Sequence, residues 1–488
     1  MHAVGFLILL EPTVIRSSRL AAVALVAGAA SAVAQRSTIT RADFSARADS
    51  LVYTYLAESR APSAAFAVIR GNDTLAFGAH GLADIAAWRA PTATTIYEIG
   101  SITKQFTSSA IMKLVEQGKL KLDDDMSKYV PQFPLHGKHV TIRNLLNHTS
   151  GIHSYTSSPD WQKTWSTPLS PDAIVKFVAN DTFDFAPGAA YRYNNTGYVL
   201  LGMVVEKVSG QKYATYLESQ FFKPLGLKQT SYCPSKTTDP TFALGYSKTP
   251  NGTARAQFLD LTHPFAAGAL CSTVGDLAKW QRALDNGKVV SAQSYTLMTT
   301  ADTLNSGRKI NYGFGLVPGM YNGHKTVSHT GGINGFATAA TYVPDDSLSI
   351  VVFTNYDAES PQGLVQNLLR VAYGEAPVGR GAGRGGAGAQ PAGTTPILRP
   401  TDRDAIVGTY NLQLPGGQVL PIKFFVDGSK LMSQAQGQGA YEIQYLGNYV
   451  FGASFDPAVR LTFTVVGGKA TKVTLLQSGA TIEGPRAL

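Results

Sequence analysis

The sequence predicts an α+β fold, an antiparallel sheet flanked by a helical region, with a small all-β unit after it. Three observations carry that prediction. APSAAFAVIRGNDTLAFGAHG reads as two strands around a Gly-Asn-Asp turn. Four strand-like runs follow one another much later, NYGFGLVPGM, HKTVSHTGG, GFATAATYVPDD and SLSIVVFTNYD, and the stretch between the two sets is helical or polar. From about Asp402 the texture changes to short alternating runs separated by Gly-rich turns. The two ends of the first unit are therefore expected to meet in one sheet, with the helical middle packed beside it.

In chain order, RSSRLAAVALVAGAASAVAQ carries Arg16 and Arg19, an apolar run from Leu20, and Ala32-Val33-Ala34. This charged, apolar and small-residue layout predicts a secretory signal cleaved after Ala34, and so a secreted or periplasmic mature protein. MHAVGFLILLEP is unusual ahead of such a signal, and a translation start nearer Val14 is expected. The competing reading is an uncleaved anchor. No later stretch has the roughly 18 unbroken apolar residues of a membrane span. RADFSARADSLVYTYLAES is helical, with Phe44, Ala48, Leu51, Val52 and Leu56 on one face, and SITKQFTSSAIMKLVEQGKL is a second helix, apolar at Phe106, Ala110, Ile111 and Leu114. TGYVLLGMVVEKVSG and SPDAIVKFVAND add further helices, and GLVQNLLRVAYGE closes the unit. VGRGAGRGGAGAQPAG is a linker by composition; its GAGRGG string has no strand before it and no helix after it, which excludes a dinucleotide site. The last region, GTYNLQL through KATKVTLLQ, reads as a small sandwich or barrel. The expected divisions are a signal at 1–34, the α+β unit at 35–375, the linker at 376–400 and the all-β unit at 401–488.

Composition narrows the function. A hydrophobic content of 44% with 15% charged residues describes a folding chain rather than a disordered one. The formal charge of +9 is spread out with no basic block, so no nucleic-acid partner is expected. Cys233 and Cys271 form a disulfide candidate in an exported protein, with buried free thiols as the alternative. No metal and no cofactor are expected: His136 and His139 are close in sequence but lack a third ligand.

The chemistry points to IGSITKQF. Ser-x-x-Lys occurs three times, at Ser101/Lys104, Ser209/Lys212 and Ser306/Lys309, but only the first opens an apolar helix. There the spacing puts both side chains on one face, and the helix N-terminus favours negative charge on the serine. A lysine among apolar residues loses its charge more readily and can serve as a base. YRYNNTGYVLLG offers Tyr193 as a proton relay and Asn195 to orient Lys104 and a substrate carbonyl, although Asn195 as a helix cap is the simpler reading of that stretch alone. VSHTGGINGF offers glycines that bring a strand edge close to substrate, a backbone amide for an oxyanion hole, and His329 as a polar group whose charge varies near neutral pH. NHTSGI reads as a structural turn that buttresses the site.

SITK, YNN and HTG, in that order, resemble the S-x-x-K, Y-x-N and [K/H]-T-G elements of the penicillin-recognising serine enzymes. LLNHTSGI, AAGALCSTVGDLAKW and NYGFGL are similar to the class C β-lactamase branch, which includes DD-peptidases, D-aminopeptidases and β-lactamase-like esterases. The resemblance covers about residues 40 to 375, and the C-terminal region looks like the lipocalin-like domain some members append. It implies that Ser101 is acylated, that Lys104 and Tyr193 share the proton work, and that Asn195, His329, Thr330 and Gly331 bind substrate. The amides of Ser101 and Gly332 would hold the oxyanion. His329 stands where β-lactamases of this branch usually carry lysine, which favours peptidase, aminopeptidase or esterase activity over β-lactam hydrolysis. The implied partners are small-molecule or peptide substrates, peptidoglycan fragments among them. The competing reading is a non-catalytic penicillin-binding sensor whose β domain holds the ligand.

Overall fold

The computed structural model describes residues 40–487 apart from 182, 379–397, 399 and short C-terminal stretches at 415–417, 429, 437–439, 448, 454–459 and 478–479. The expected signal at 1–34 and most of the expected linker lie outside the described residues.

The strands at the two ends of the first unit do meet. Six antiparallel strands run in the order Asp73–Gly81, Ser63–Arg70, Leu348–Thr354, Phe336–Val343, His324–Ile333, Val317–Tyr321. The two central strands, Phe336–Val343 and Leu348–Thr354, are buried along their whole length. They separate two cores. On one side Val352 and Ile350 pack with Phe44 and Val52 of the Arg41–Ser59 helix and Leu364 and Leu368 of the Gln362–Ala372 helix. On the other, Val351 and Phe353 join the larger core built on Phe106 and Trp280, whose rings stack 3.9 Å apart. Each such side chain contributes about 1.5–3 kcal/mol by leaving water.

The Thr103–Glu116 helix runs through that larger core, and Phe106, Ala110, Ile111 and Leu114 are fully buried, as their spacing predicts. Its buried polar side chains are all occupied nearby: Thr107 donates to the Ala266 carbonyl and Gln105 accepts the Trp280 indole N–H. This helix is therefore held in place along its length, and only its last turn, at Lys113, Val115 and Glu116, reaches the surface.

One local expectation shifts. NYGFGL is not strand; pairing begins only at Val317. Gly313 and Gly315 explain this, because a Cβ on Gly315 would lie 2.6 Å from the Lys104 carbonyl, so the segment is a loop pressed against the helix. Cys233 and Cys271 are joined, their Cα atoms 5.2 Å apart. The bond pins the strand Leu270–Ser272, which pairs with Tyr97–Glu98 and accepts the Ile99 N–H at 2.9 Å.

The C-terminal region is an eight-stranded meander from Gly408–Gln413 to Ala480–Pro485, each strand antiparallel to the next. It closes on itself: Tyr410 bridges Arg486, and the Ala487 N–H donates to the Thr409 carbonyl. Tyr410, Phe424, Phe451 and Phe463 fill the interior edge to face, so this barrel is packed rather than hollow where it is described. No described helix is long and apolar enough to cross a membrane.

Candidate active site

Ser101 stands on a 3₁₀ turn, Gly100–Ile102, immediately before the buried helix. The turn is set by backbone contact with the strand His324–Ile333. Gly100 has φ +50°, and a Cβ there would meet the Gly332 nitrogen at 2.9 Å and its oxygen at 3.0 Å. A Cβ on Gly331 would meet the Ile99 carbonyl at 2.0 Å. Glycine is thus required on both sides of a backbone-to-backbone seam. Pairing with the outer strand stops at Ser328 opposite Val317, so residues 329–333 have no partner from that strand. The seam sets this stretch against the serine turn.

Lys104 is completely buried. Its Nζ lies 3.0 Å from Ser101 Oγ, 2.9 Å from Asn195 Oδ1 and 2.8 Å from the Ala267 carbonyl. Burial holds its pKa well below the ordinary lysine value. In the neutral amine two hydrogens serve Asn195 and Ala267, which accept but cannot donate through these atoms. The lone pair is left for the Ser101 hydroxyl, which then donates to Nζ. That is the geometry of a general base.

Tyr193 brings its ring under the same amine, 4.8 Å from Nζ, with Tyr198 at 5.3 Å. Burial pushes the Tyr193 phenol well above its usual pKa, and a hydrogen bond with Ser101 opposes this only in part. Yet 37% of the residue's surface remains exposed, along the cleft it lines. At rest Tyr193 is a phenol, a donor and not a base. The helix Asn195–Ser209 is capped by Asn194, whose side chain accepts the Gly197 N–H at 2.8 Å. Capping therefore falls to the neighbour, and Asn195 is free for Lys104; its own Nδ2 donates to Thr156.

His329 lines the cleft, but not as a titrating cation. Its Nδ1 is 2.5 Å from the Thr330 carbonyl and so donates; its Nε2 accepts the Tyr312 hydroxyl at 2.9 Å. Burial, with a smaller contribution from the neighbouring Lys104, lowers its pKa to about 4. The ring is neutral through the range where its charge was expected to vary. Tyr312, which sequence reading left inside a strand, holds that neutral tautomer by donating to Nε2; the glycines flanking it in NYGFGL were the available signal. Thr330 is exposed and Gly332 open, and both border the cleft. With Ser101, Tyr191, Tyr193, Asn311, Tyr312, Val317 and His329 they enclose about 400 Å³.

The structure thus brings Ser101, Lys104, Tyr193, Asn195, His329, Thr330 and Gly332 to one cleft, with Gly331 in the seam behind it, while Cys233 and Cys271 brace the strand beneath. A base-bearing serine with backbone amides beside it can form an acyl-enzyme. Comparison with known proteins agrees. The Beta-lactamase family model matches residues 48–375. Penicillin-binding protein 4* of Bacillus subtilis (strain 168) is 29% identical over 326 residues, covering 62% of this chain and 71% of its own. A D-stereospecific amidohydrolase from Streptomyces sp. superposes with TM-score 0.59 at 29% identity, covering 66% of this chain and 97% of its own. An octameric penicillin-binding protein homologue from Pyrococcus abyssi gives 0.64 at 26% identity, covering 90% and 99%. With its fold and the family match in agreement, the chain belongs to the beta-lactamase family and is a serine hydrolase of that kind.

Proposed function

We propose that this protein hydrolyses amide or ester bonds through an acyl-enzyme on Ser101. The observation that carries this is the buried Lys104 Nζ, 3.0 Å from Ser101 Oγ, with Asn195 Oδ1 and the Ala267 carbonyl as its other two partners. Ser101 Oγ attacks the substrate carbonyl carbon and its proton passes to Lys104 Nζ. The carbonyl oxygen becomes an oxyanion held by the Ser101 and Gly332 amides. The bond to the leaving amine or alcohol then breaks, and that group takes a proton through the Tyr193 hydroxyl, which Lys104 resupplies. Water repeats the sequence on the acyl-enzyme, releasing the acid and restoring Ser101. Asn195 orients Lys104 throughout.

The cleft favours substrates without a carboxylate near the reacting bond. None of its lining residues is a lysine or arginine, and His329 is neutral. Amino-acid amides and esters fit this, and the Streptomyces relative's description as a D-stereospecific amidohydrolase supports D-configured acyl groups. Penicillins, which carry a carboxylate, should acylate less readily. The disulfide supports export with cleavage near Ala34, since such bonds persist in oxidising compartments.

The test is a panel of D- and L-amino-acid amides, a p-nitrophenyl ester and a fluorescent penicillin, on wild type and Ser101→Ala. Turnover lost in the variant supports the proposal. Stable penicillin labelling without turnover of any substrate would make the protein a sensor instead, and activity indifferent to Ser101→Ala would end the mechanism.

A further inference from the structure

We infer that His148 is a positioning residue that fixes the Tyr193 phenol against Ser101 and Lys104. The inference rests on the mechanism proposed above. His148 touches the segment bearing Tyr193 on both flanks. Its carbonyl accepts the Arg192 N–H at 3.0 Å, and its ring Nδ1 accepts the Asn194 N–H at 3.1 Å. Between these two bonds the ring lies against the Tyr193 ring, centroids 4.3 Å apart. One residue thus holds the backbone before and after the tyrosine as well as its side chain.

Several features exceed what a plain turn needs. His148 is 1% exposed and has φ +62°, a conformation that histidine tolerates better than most residues. Because Nδ1 accepts a backbone N–H, the ring proton sits on Nε2. That atom has no hydrogen-bond partner and is buried beside the rings of Tyr198 and Tyr312, 5.1 and 4.6 Å away between centroids. A buried unpaired donor is costly. The compensating gain is local: a neutral acceptor placed where a charged group would compete with Lys104, and a flat surface that fixes the phenol's rotation. Serine or threonine at 148 would supply an acceptor but no surface, and phenylalanine a surface but no acceptor.

The test is a double-mutant cycle. His148→Phe keeps a ring and removes the acceptor; kcat should fall about 100-fold, the scale of an ångström's misplacement, with KM within threefold. In a Tyr193→Phe background the same substitution should lower kcat by less than threefold, because the group it positions is already gone. His148→Asn retains an acceptor at the Nδ1 position and accepts the left-handed backbone, so it should keep kcat within tenfold of wild type and serves if His148→Phe folds poorly. Equal losses in both backgrounds, an unchanged kcat in His148→Phe, or a His148→Asn enzyme as impaired as Tyr193→Phe would overturn the inference. Ser101→Ala, run alongside, separates this from failure of the mechanism, since it abolishes turnover whenever the mechanism holds.

Discussion

Replacing Gly100 by alanine adds a single methyl group, yet it should cost both stability and rate.

 The new Cβ would lie 2.9 Å from the Gly332 nitrogen, 3.0 Å from its oxygen and 3.1 Å from its carbonyl carbon. Carbon contacts settle near 3.5–4.0 Å, so the seam must open by about half an ångström. Gly100 also has φ +50°, where a side chain costs about 1–2 kcal/mol. Overpacking adds about 1–3 kcal/mol, for a total loss of about 2–5 kcal/mol. The rate should suffer separately. Gly332 supplies the second oxyanion amide in the proposed mechanism, and removing such a donor outright costs about 10²–10³ in kcat; displacing it should cost about 10- to 100-fold. Gly210→Ala is the control, because Gly210 has φ +70° with nothing within 4 Å of a new Cβ. It should lose the backbone contribution alone and keep its kcat. Thermal unfolding and ester turnover of the two variants decide the matter. Equal kcat in Gly100→Ala and Gly210→Ala would refute the claim that the seam sets the oxyanion site.

The same geometry carries further predictions. Lys104→Met should fold, as judged by circular dichroism, while kcat falls about 10²–10⁴-fold, the scale of a lost general base. His329 has its pKa lowered to about 4, so the folded state binds fewer protons than the unfolded chain between about pH 4 and 6.5. Stability should therefore rise with pH across that window, by about 3 kcal/mol from this residue, and His329→Gln should flatten the rise in denaturant titrations. The same pKa predicts no His329 inflection in kcat/KM between about pH 5 and 8. Replacing Cys233 and Cys271 by alanine opens a link spanning 38 residues, and chain entropy puts the loss of stability near 4 kcal/mol, measurable by urea unfolding.

The sheet, the buried helix and the closing barrel were legible because each depends on local pattern. Phe106, Ala110, Ile111 and Leu114 announce a buried helix face, and the runs ending in SLSIVVFT announce central strands. The serine and lysine were legible for the same reason, being neighbours on one turn. What the sequence hid depends on contacts between distant segments. Nothing local shows that Tyr312 would donate to His329, 17 residues away, or that burial would keep that ring neutral, or that Asn194 rather than Asn195 would cap its helix. NYGFGL was misread as strand because its alternation suits one, whereas the Lys104 carbonyl behind Gly315 decides its path. His148 was read only as part of a turn, since its orphaned Nε2 and its two bonds to the Tyr193 segment exist only in three dimensions.

The site holds a buried amine with neutral partners, and this choice is testable at Asn195. Asn195 Oδ1 is 2.9 Å from Lys104 Nζ, and the other close acceptor is a carbonyl. Dipoles of this kind hold the amine in place without demanding that it be charged. A carboxylate at the same position would demand it. Asn195→Asp changes hardly any volume, but it should raise the Lys104 pKa by about 1–3 units, as an opposite charge at such a distance does. Lys104 must be neutral to take the Ser101 proton, so kcat/KM rises with pH through the Lys104 pKa, and that limb should move to higher pH by the same amount. At a pH below the wild-type limb the loss approaches 10- to 1000-fold, since each pKa unit is about tenfold in the neutral fraction. Thermal unfolding and circular dichroism of the variant, run alongside, separate this effect from damage to the fold. A pH–rate profile with its limb unmoved would mean that Lys104 is not the base, whatever its distance from Ser101.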